Sequence, residues 1–289
     1  GRSLAGLATA AFLQAGVPKF GFDLRVFESQ AGAFTAELRQ GAGIALHDDS
    51  VSCLTSGGVT SEKAFQSKLQ PMRLIEERIT DGRVMVHRPH SFHAAIWFDV
   101  YSLLADAAKD TTSVFGKKLC RYEHTAEGVT AFFDDGSKET GDLLIGADGV
   151  HSAVRKQMHP ASKTAYRGYS AWRGVCPTQK LEANGLLSRL RARYQDLGNC
   201  LCIEMGPPGY SSVFYELGSG HVNWLLYAEQ TAPIAGEKRV TRPAGPEELE
   251  QLQTFLRANW HGDFADLLQA TDGIFVNDIY DMDPLSSFS

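Results

Sequence analysis

Apolar positions in the first half of the chain alternate between helical and strand spacing. Residues 3–14 are small or apolar almost throughout, and Gly16 then supplies a stop, which predicts a helix. Residues 22–28 alternate apolar and polar side chains, which predicts a strand ending at Glu28. A stretch rich in glycine and alanine ends in Gly41-Ala42-Gly43-Ile44, and a short helix is expected over residues 48–55. Residues 72–79 and 83–88 are strand-like and flank Asp81-Gly82, a hairpin turn. Residues 98–108 carry helical spacing, and strands are expected at 113–117 and 119–124. A second hairpin joins residues 129–133 through Asp135-Gly136 to a strand from Glu139. Residues 142–146 predict a buried strand, with a helix from Ser152.

The pattern changes from Thr164 onward. Strand candidates become aromatic, at 166–175, 200–205, 211–217 and 222–228. Helices are expected at 246–260 and 263–270, and a last strand at 274–280. The first half thus reads as α/β, the second as a mostly antiparallel sheet with helices beside it. No repeat or low-complexity linker interrupts them.

Composition narrows the function classes. The 289 residues are 43% hydrophobic and 21% charged, enough apolar material for a sizeable core. A net charge of -6 offers no long-range attraction to polyanions, so nucleic acid is not an expected partner. No apolar run approaches the roughly 20 residues of a membrane span, and no transmembrane segment is expected. The five cysteines, Cys53, Cys120, Cys176, Cys200 and Cys202, form no CxxC pair and read as reduced thiols of an intracellular, cytoplasmic protein. An organellar location stays open, because the chain opens on Gly1 rather than Met.

Gly1-Arg2-Ser3-Leu4-Ala5-Gly6 matches G-x-G-x-x-G with serine at the second glycine. Such a turn needs a tight bend at Gly1, a small residue at Ser3 for close backbone approach to a pyrophosphate, and no side chain at Gly6. Leu4 and Ala5 open the helix, whose free N–H groups favour phosphate. Glu28 ends the next strand about 20 residues on, where a carboxylate receives ribose hydroxyls. The strand that should precede Gly1 lies outside the sequence.

A second run, Asp142-Leu143-Leu144-Ile145-Gly146-Ala147-Asp148-Gly149-Val150-His151-Ser152-Ala153-Val154-Arg155, resembles a fingerprint of FAD-dependent monooxygenases of the para-hydroxybenzoate hydroxylase type. Gly41-Ala42-Gly43-Ile44 resembles the segment that passes the flavin in that family, and residues 97–104 its helix re-entering the cofactor domain. Family members often carry an arginine at that helix start; none stands between Trp97 and Leu104. Tyr166-Arg167-Gly168-Tyr169-Ser170-Ala171-Trp172-Arg173-Gly174-Val175 resembles the first substrate-domain strand of the dihydroxypyridine, urate and salicylate hydroxylases.

The resemblance implies a Rossmann-like FAD/NAD(P)-binding domain (1–70 and 98–160) interleaved with an α+β substrate domain (71–97 and 161–289) built on a mostly antiparallel sheet. It implies FAD, held by Gly1, Ser3, Leu4, Ala5, Gly6, Glu28, Gly43, Asp148 and Gly149, with NADPH or NADH as co-substrate. Oxygen from O2 would pass to an aromatic or heteroaromatic small molecule through a C4a-hydroperoxyflavin. A homodimer is compatible with it. Epoxidation of an alkene, or a non-catalytic relative, remain alternatives. The family's third fingerprint, a GDAAH-like segment, would follow the last strand, and the sequence ends at Ser289 before it. The chain is therefore expected to be clipped at both ends.

Substrate contacts are sought in the aromatic sheet, at Tyr215, Asn223, Trp224 and Tyr227. Val222, Trp224 and Leu226 share one face, and Asn223, Leu225 and Tyr227 the other. His87, His90 and His93 surround Pro89, which argues for a loop, and no metal is expected there. No catalytic acid or base is identifiable.

Overall fold

The computed structural model describes residues 1–21, 23–33, 42–235 and 240–288. Helix α1 (Leu4–Phe20) and strand β1 (Arg25–Glu28) come first, then β2 (Gly43–Leu46), α2 (Asp48–Ser56) and α3 (Glu62–Gln66). The hairpin of β3 (Gln70–Ile79) and β4 (Val84–Ile96) leads into α4 (Trp97–Ala107) and β5 (Thr112–Phe115). Strands β6 (Leu119–Thr125), β7 (Gly128–Phe133) and β8 (Lys138–Gly141) precede α5 (Ala153–Met158). Next come β9 (Ala165–Pro177), α6 (Thr178–Glu182), α7 (Leu186–Arg193), β10 (Cys200–Met205), β11 (Tyr210–Leu217) and β12 (His221–Glu229). The described chain closes with β13 (Thr241–Pro243), α8 (Pro246–Asn259), α9 (Gly262–Ala270) and β14 (Phe275–Asp281).

Strands β1 and β5 pair in parallel, with Glu28 opposite Phe115 at the C-terminal end. Helices α1 and α4 pack together through Leu7, Ala10 and Ala11 against Val100, Tyr101 and Leu104. Strands β6, β7 and β8 form a separate antiparallel sheet. The largest sheet runs β13-β14-β9-β12-β11-β10-β3-β4-β2. Its neighbours are antiparallel except β3 and β10, which run in parallel.

Strand alternation gives that sheet two unlike faces. One face packs Trp172, Cys176, Cys200, Cys202, Phe214, Trp224 and Leu226 against α7, α8 and α9, including Leu190, Leu256 and Phe264. Each such large side chain, fully buried, contributes about 1.5–3 kcal/mol. The other face carries Met72, Phe92, Ala94, Tyr215, Leu217 and Leu225, with Tyr227 packed beside them.

Several elements depart from the sequence expectation. Helix α1 runs past Gly16 to Phe20, so a single glycine does not end it. Phe22 and Gly41 lie outside the described residues. Residues 142–146 form no strand: they are extended, with Leu143 77% and Ile145 47% exposed. Among the described residues no strand pairs with this short apolar run, so Leu143 and Ile145 are left without cover. Pro89 and the histidines near it sit in β4 rather than in a loop. Pro89 pairs with Leu74 beside a register shift, and β2 covers only His93–Ile96 of β4, so it stands at an open, irregular stretch where a strand tolerates proline. Gly43–Leu46 hydrogen-bonds to β4, which makes it part of the large sheet rather than of the cofactor layer. Helices α6 and α7 were not expected, although Leu186, Leu187 and Leu190 mark a helical stripe; Gly185 and the short length hid it.

Candidate functional site

The opening turn is held by backbone contact. A Cβ on Gly1 would stand 2.4 Å from the Ala147 carbonyl oxygen, and one on Gly6 would stand 1.8 Å from the Gly1 carbonyl oxygen. Both positions therefore require glycine, and they seat the first fingerprint directly on the second. Ser3 and Ala5 stay exposed at the first turn of α1, where a helix presents N–H groups without intrahelical partners. Leu4 packs partly into the core of α1 and α4.

Glu28 lies beside this turn. Its Oε2 accepts the Arg2 backbone N–H at 2.5 Å, and its Oε1 accepts the Gln30 N–H at 2.9 Å and the Ser29 hydroxyl at 3.1 Å. Burial opposes the charge, but these hydrogen bonds outweigh it and hold the carboxyl below its ordinary range. Arg2 turns the other way: its guanidinium donates to the Tyr101 hydroxyl at 2.5 Å and the Ser113 hydroxyl at 3.2 Å. An arginine thus reaches α4 from the opening turn, although none stands in the first turns of α4 itself.

Asp148 also lies beside Gly1, its Cα 3.6 Å from where a Gly1 Cβ would stand. Its Oδ2 accepts the Ala153 N–H at 2.7 Å, while its Oδ1 is buried without a partner. Gly149 takes φ 79°, and Arg155 donates to the Val150 carbonyl at 2.5 Å, which pins the turn. Helix α5 is capped by the Ser152 hydroxyl, which accepts the Arg155 N–H at 2.9 Å. Gly1, Glu28 and Asp148 are thereby brought into one place from three separate segments. This arrangement suits an adenine dinucleotide: a glycine turn against a helix start, a carboxylate beside it, and an unsatisfied buried oxygen that needs a donor.

The second half of the site is the face of the large sheet away from α8 and α9. Gly43, at the start of β2, is bonded into this face. The Gly43 N–H donates to Asn223 Oδ1 at 2.8 Å, and its carbonyl accepts from Arg173 Nη2 at 3.1 Å. A Cβ on Gly43 would meet Asn223 at 2.6 Å and the Tyr215 hydroxyl at 2.8 Å. Burial raises the Tyr215 and Tyr227 hydroxyls above their ordinary range and lowers the Arg173 guanidinium. Both tyrosines therefore stay neutral phenols at physiological pH.

Trp224 does not join this group. It is fully buried on the opposite face against Phe264, and its indole N–H donates to the Thr271 hydroxyl at 3.0 Å. The register that puts Tyr215 opposite Asn223 places Trp224 behind the sheet, so it is a packing residue rather than a substrate contact. Arg173 was not singled out in the sequence, although a charged residue beside buried Trp172 was the available signal. His93 faces Asp48 with Nδ1 at 3.2 Å from Oδ1, and His87 stands 3.7 Å from Asp196. Among the described residues no three His, Cys, Asp or Glu side chains are grouped to hold a metal.

Residues 1–184 match the model of the FAD binding domain family, and the chain belongs to that family. It is 28% identical to the aurachin C monooxygenase/isomerase of Stigmatella aurantiaca over 277 residues, which are 92% of this chain and 64% of that protein. It is 30% identical to the 6-hydroxynicotinate 3-monooxygenase of Pseudomonas fluorescens over 196 residues, 64% of this chain and 49% of that protein. The chain thus spans between about half and two thirds of these curated relatives. In fold it is similar to Klebsiella pneumoniae HpxO, solved with FAD and uric acid, with a TM-score of 0.75 at 22% identity over 99% of this chain and 68% of that one. Among the described residues no helix is long and apolar enough to cross a membrane.

Proposed function

We propose that the chain carries the cofactor-binding and substrate-binding parts of an FAD-dependent monooxygenase that uses NADPH or NADH and O2 to hydroxylate an aromatic or heteroaromatic small molecule. The observation that carries this reading is the seating of Gly1 on Ala147, with Glu28 bonded to the Arg2 N–H of the same turn and the unpartnered Asp148 Oδ1 next along the chain from Ala147. In this reading Gly1, Ser3, Leu4, Ala5 and Gly6 take the pyrophosphate, Glu28 the ribose hydroxyls, and Asp148 and Gly149 the ribose and pyrophosphate region. Gly43 approaches the ring, and Tyr215 and Tyr227 face the substrate. Residues 1–70 and 98–160 form the cofactor domain, and 71–97 and 161–289 the substrate domain, with Gly43–Leu46 crossing between them in the large sheet.

FAD, when bound, supplies the redox chemistry. The chain's own residues orient and enclose. The apolar face around Met72, Phe92 and Leu225 excludes water, and the Tyr215 and Tyr227 hydroxyls can donate to an oxygen on the substrate ring. Five free cysteines suit an intracellular setting, and a homodimer is compatible with the reading.

The test is direct. The purified protein is mixed with FAD, and its visible spectrum and flavin fluorescence are recorded. A bound-flavin spectrum supports the reading, as does NAD(P)H oxidation stimulated by a ring substrate with 18O from O2 entering the product. Protein that neither retains nor binds FAD would reject it.

A further inference from the structure

We propose that Arg2 is a positioning residue for the cofactor's ribose: its side chain clamps the opening turn to α4 and β5, and its backbone N–H thereby aims the open oxygen of Glu28. This rests on the monooxygenase reading above, in which Glu28 takes the ribose hydroxyls.

Arg2 joins the opening turn to β1, α4 and β5 at once. Its backbone N–H donates to Glu28 Oε2 at 2.5 Å, at the end of β1. Its guanidinium donates to the Tyr101 hydroxyl of α4 at 2.5 Å and to the Ser113 hydroxyl of β5 at 3.2 Å. The same group lies 5.9 Å from the centre of the Tyr101 ring and 5.6 Å from that of Phe115. Hydroxyls and ring faces thus hold the cation. Neither anchor is loose. Tyr101 is buried and stacks on Trp97 with ring centres 5.2 Å apart, and Ser113 is paired with Val26 in the parallel ladder. Gly1 is braced by backbone contact with Ala147 but has no side chain to reach the other way. Arg2 supplies that second brace.

The carboxylate that the turn holds has one direction left for a ligand. Two carboxylate oxygens offer about four acceptor sites. Among the described residues, Oε1 accepts the Gln30 N–H and the Ser29 hydroxyl, while Oε2 accepts the Arg2 N–H alone. The remaining site is therefore on Oε2, and the Arg2 bond sets its direction. A ribose hydroxyl meets that site only while the turn stays in place. Fixing a group before the ligand arrives raises affinity by cutting the ordering cost of binding. The side chain of Arg2 thus acts on the cofactor through Glu28 rather than by touching it.

The probes are ADP and its dideoxy analogue, which lacks both ribose hydroxyls, titrated into the full chain by calorimetry. Their affinity ratio isolates the ribose contact. The parent is expected to bind ADP about tenfold more tightly or better, the effect of a hydrogen bond to a charged acceptor. R2A should bring the two nucleotides within about threefold of each other and change the affinity of the dideoxy form little. R2K, which keeps a long cationic stem, should retain part of the ratio. Y101F and S113A each remove one anchor and leave Arg2 in place. They should give intermediate ratios, and they carry the test if R2A does not fold. A merely structural Arg2 would weaken both nucleotides by one factor and leave the ratio alone; that result overturns the proposal. So does full preference retained in R2A or, where R2A does not fold, in both Y101F and S113A. A parent that binds FAD without preferring ADP to its dideoxy form overturns it too. A parent that binds neither FAD nor ADP strikes the monooxygenase reading instead, so the two failures are separable.

Discussion

Gly6 to alanine is the sharpest probe of the opening turn. The new methyl would lie 1.8 Å from the Gly1 carbonyl oxygen, where ordinary contact begins near 3.4 Å. The backbone must therefore open by about 1.6 Å, since the blocking atom is main chain and no side chain can swing aside. Overpacking of this kind costs about 1–3 kcal/mol. At roughly 2–3 °C per kcal/mol for a chain of this size, the melting temperature should fall by about 2–9 °C. The movement also lifts the start of α1 from Ala147, so FAD affinity should drop about tenfold or more. Circular dichroism melting and fluorescence titration with FAD measure the two effects. Gly262 to alanine is the control, because nothing lies within 4 Å of its added methyl. It opens α9 without positive φ and should gain about 0.4–1 kcal/mol. A G6A protein with unchanged melting and unchanged FAD affinity would refute the proposed contact between the two fingerprints.

Other positions give independent checks. Glu28 has its folded pKa held below 4.5, so its stabilisation is present above 4.5 and is lost as pH falls through the lowered value. E28Q should lower stability at neutral pH and flatten the acid limb of the melting curve below about pH 4.5; an unchanged acid limb would contradict the hydrogen bonds from Arg2 and Gln30. W224F should cost about 1–3 kcal/mol in urea unfolding, through the lost bond to Thr271 and the emptied volume, with ring-substrate affinity unchanged. Weakened binding by W224F would return that residue to the ligand face. A thiol reagent should modify Cys53 and Cys120 quickly in the folded protein and Cys176, Cys200 and Cys202 only on unfolding. Rapid reaction of a third cysteine would contradict the burial of β9 or β10.

Much of this was legible because period and turn chemistry agreed. The Asp81-Gly82 and Asp135-Gly136 turns sit between paired strands, and β10 spans the residues its alternation marked. Glu28 was readable from its distance to the opening turn, and it does meet that turn. The failures share another cause. A continuous apolar run such as Leu143-Leu144-Ile145 states that the segment wants cover, but not whether a neighbouring strand supplies it. Arg173 was quoted within a motif and passed over, because what faces it depends on β11, β12 and Gly43. Local sequence gives the side chain and the face its strand period assigns; the compensation of its charge belongs to the tertiary neighbourhood.

The division of labour within β12 follows from this. Trp224 and Asn223 are adjacent, yet one is bonded to Thr271 behind the sheet and the other to Gly43 in front. A one-residue slip of β12 would exchange them, placing an amide among Phe214 and Phe264 and an indole against Gly43, where even a methyl has no room. Both errors are costly and they occur together, so the two bonds pin the register from opposite sides. The packing core thereby fixes which side chains share the face of Gly43. Core substitutions that loosen β12 should accordingly disturb ligand binding before they unfold the chain.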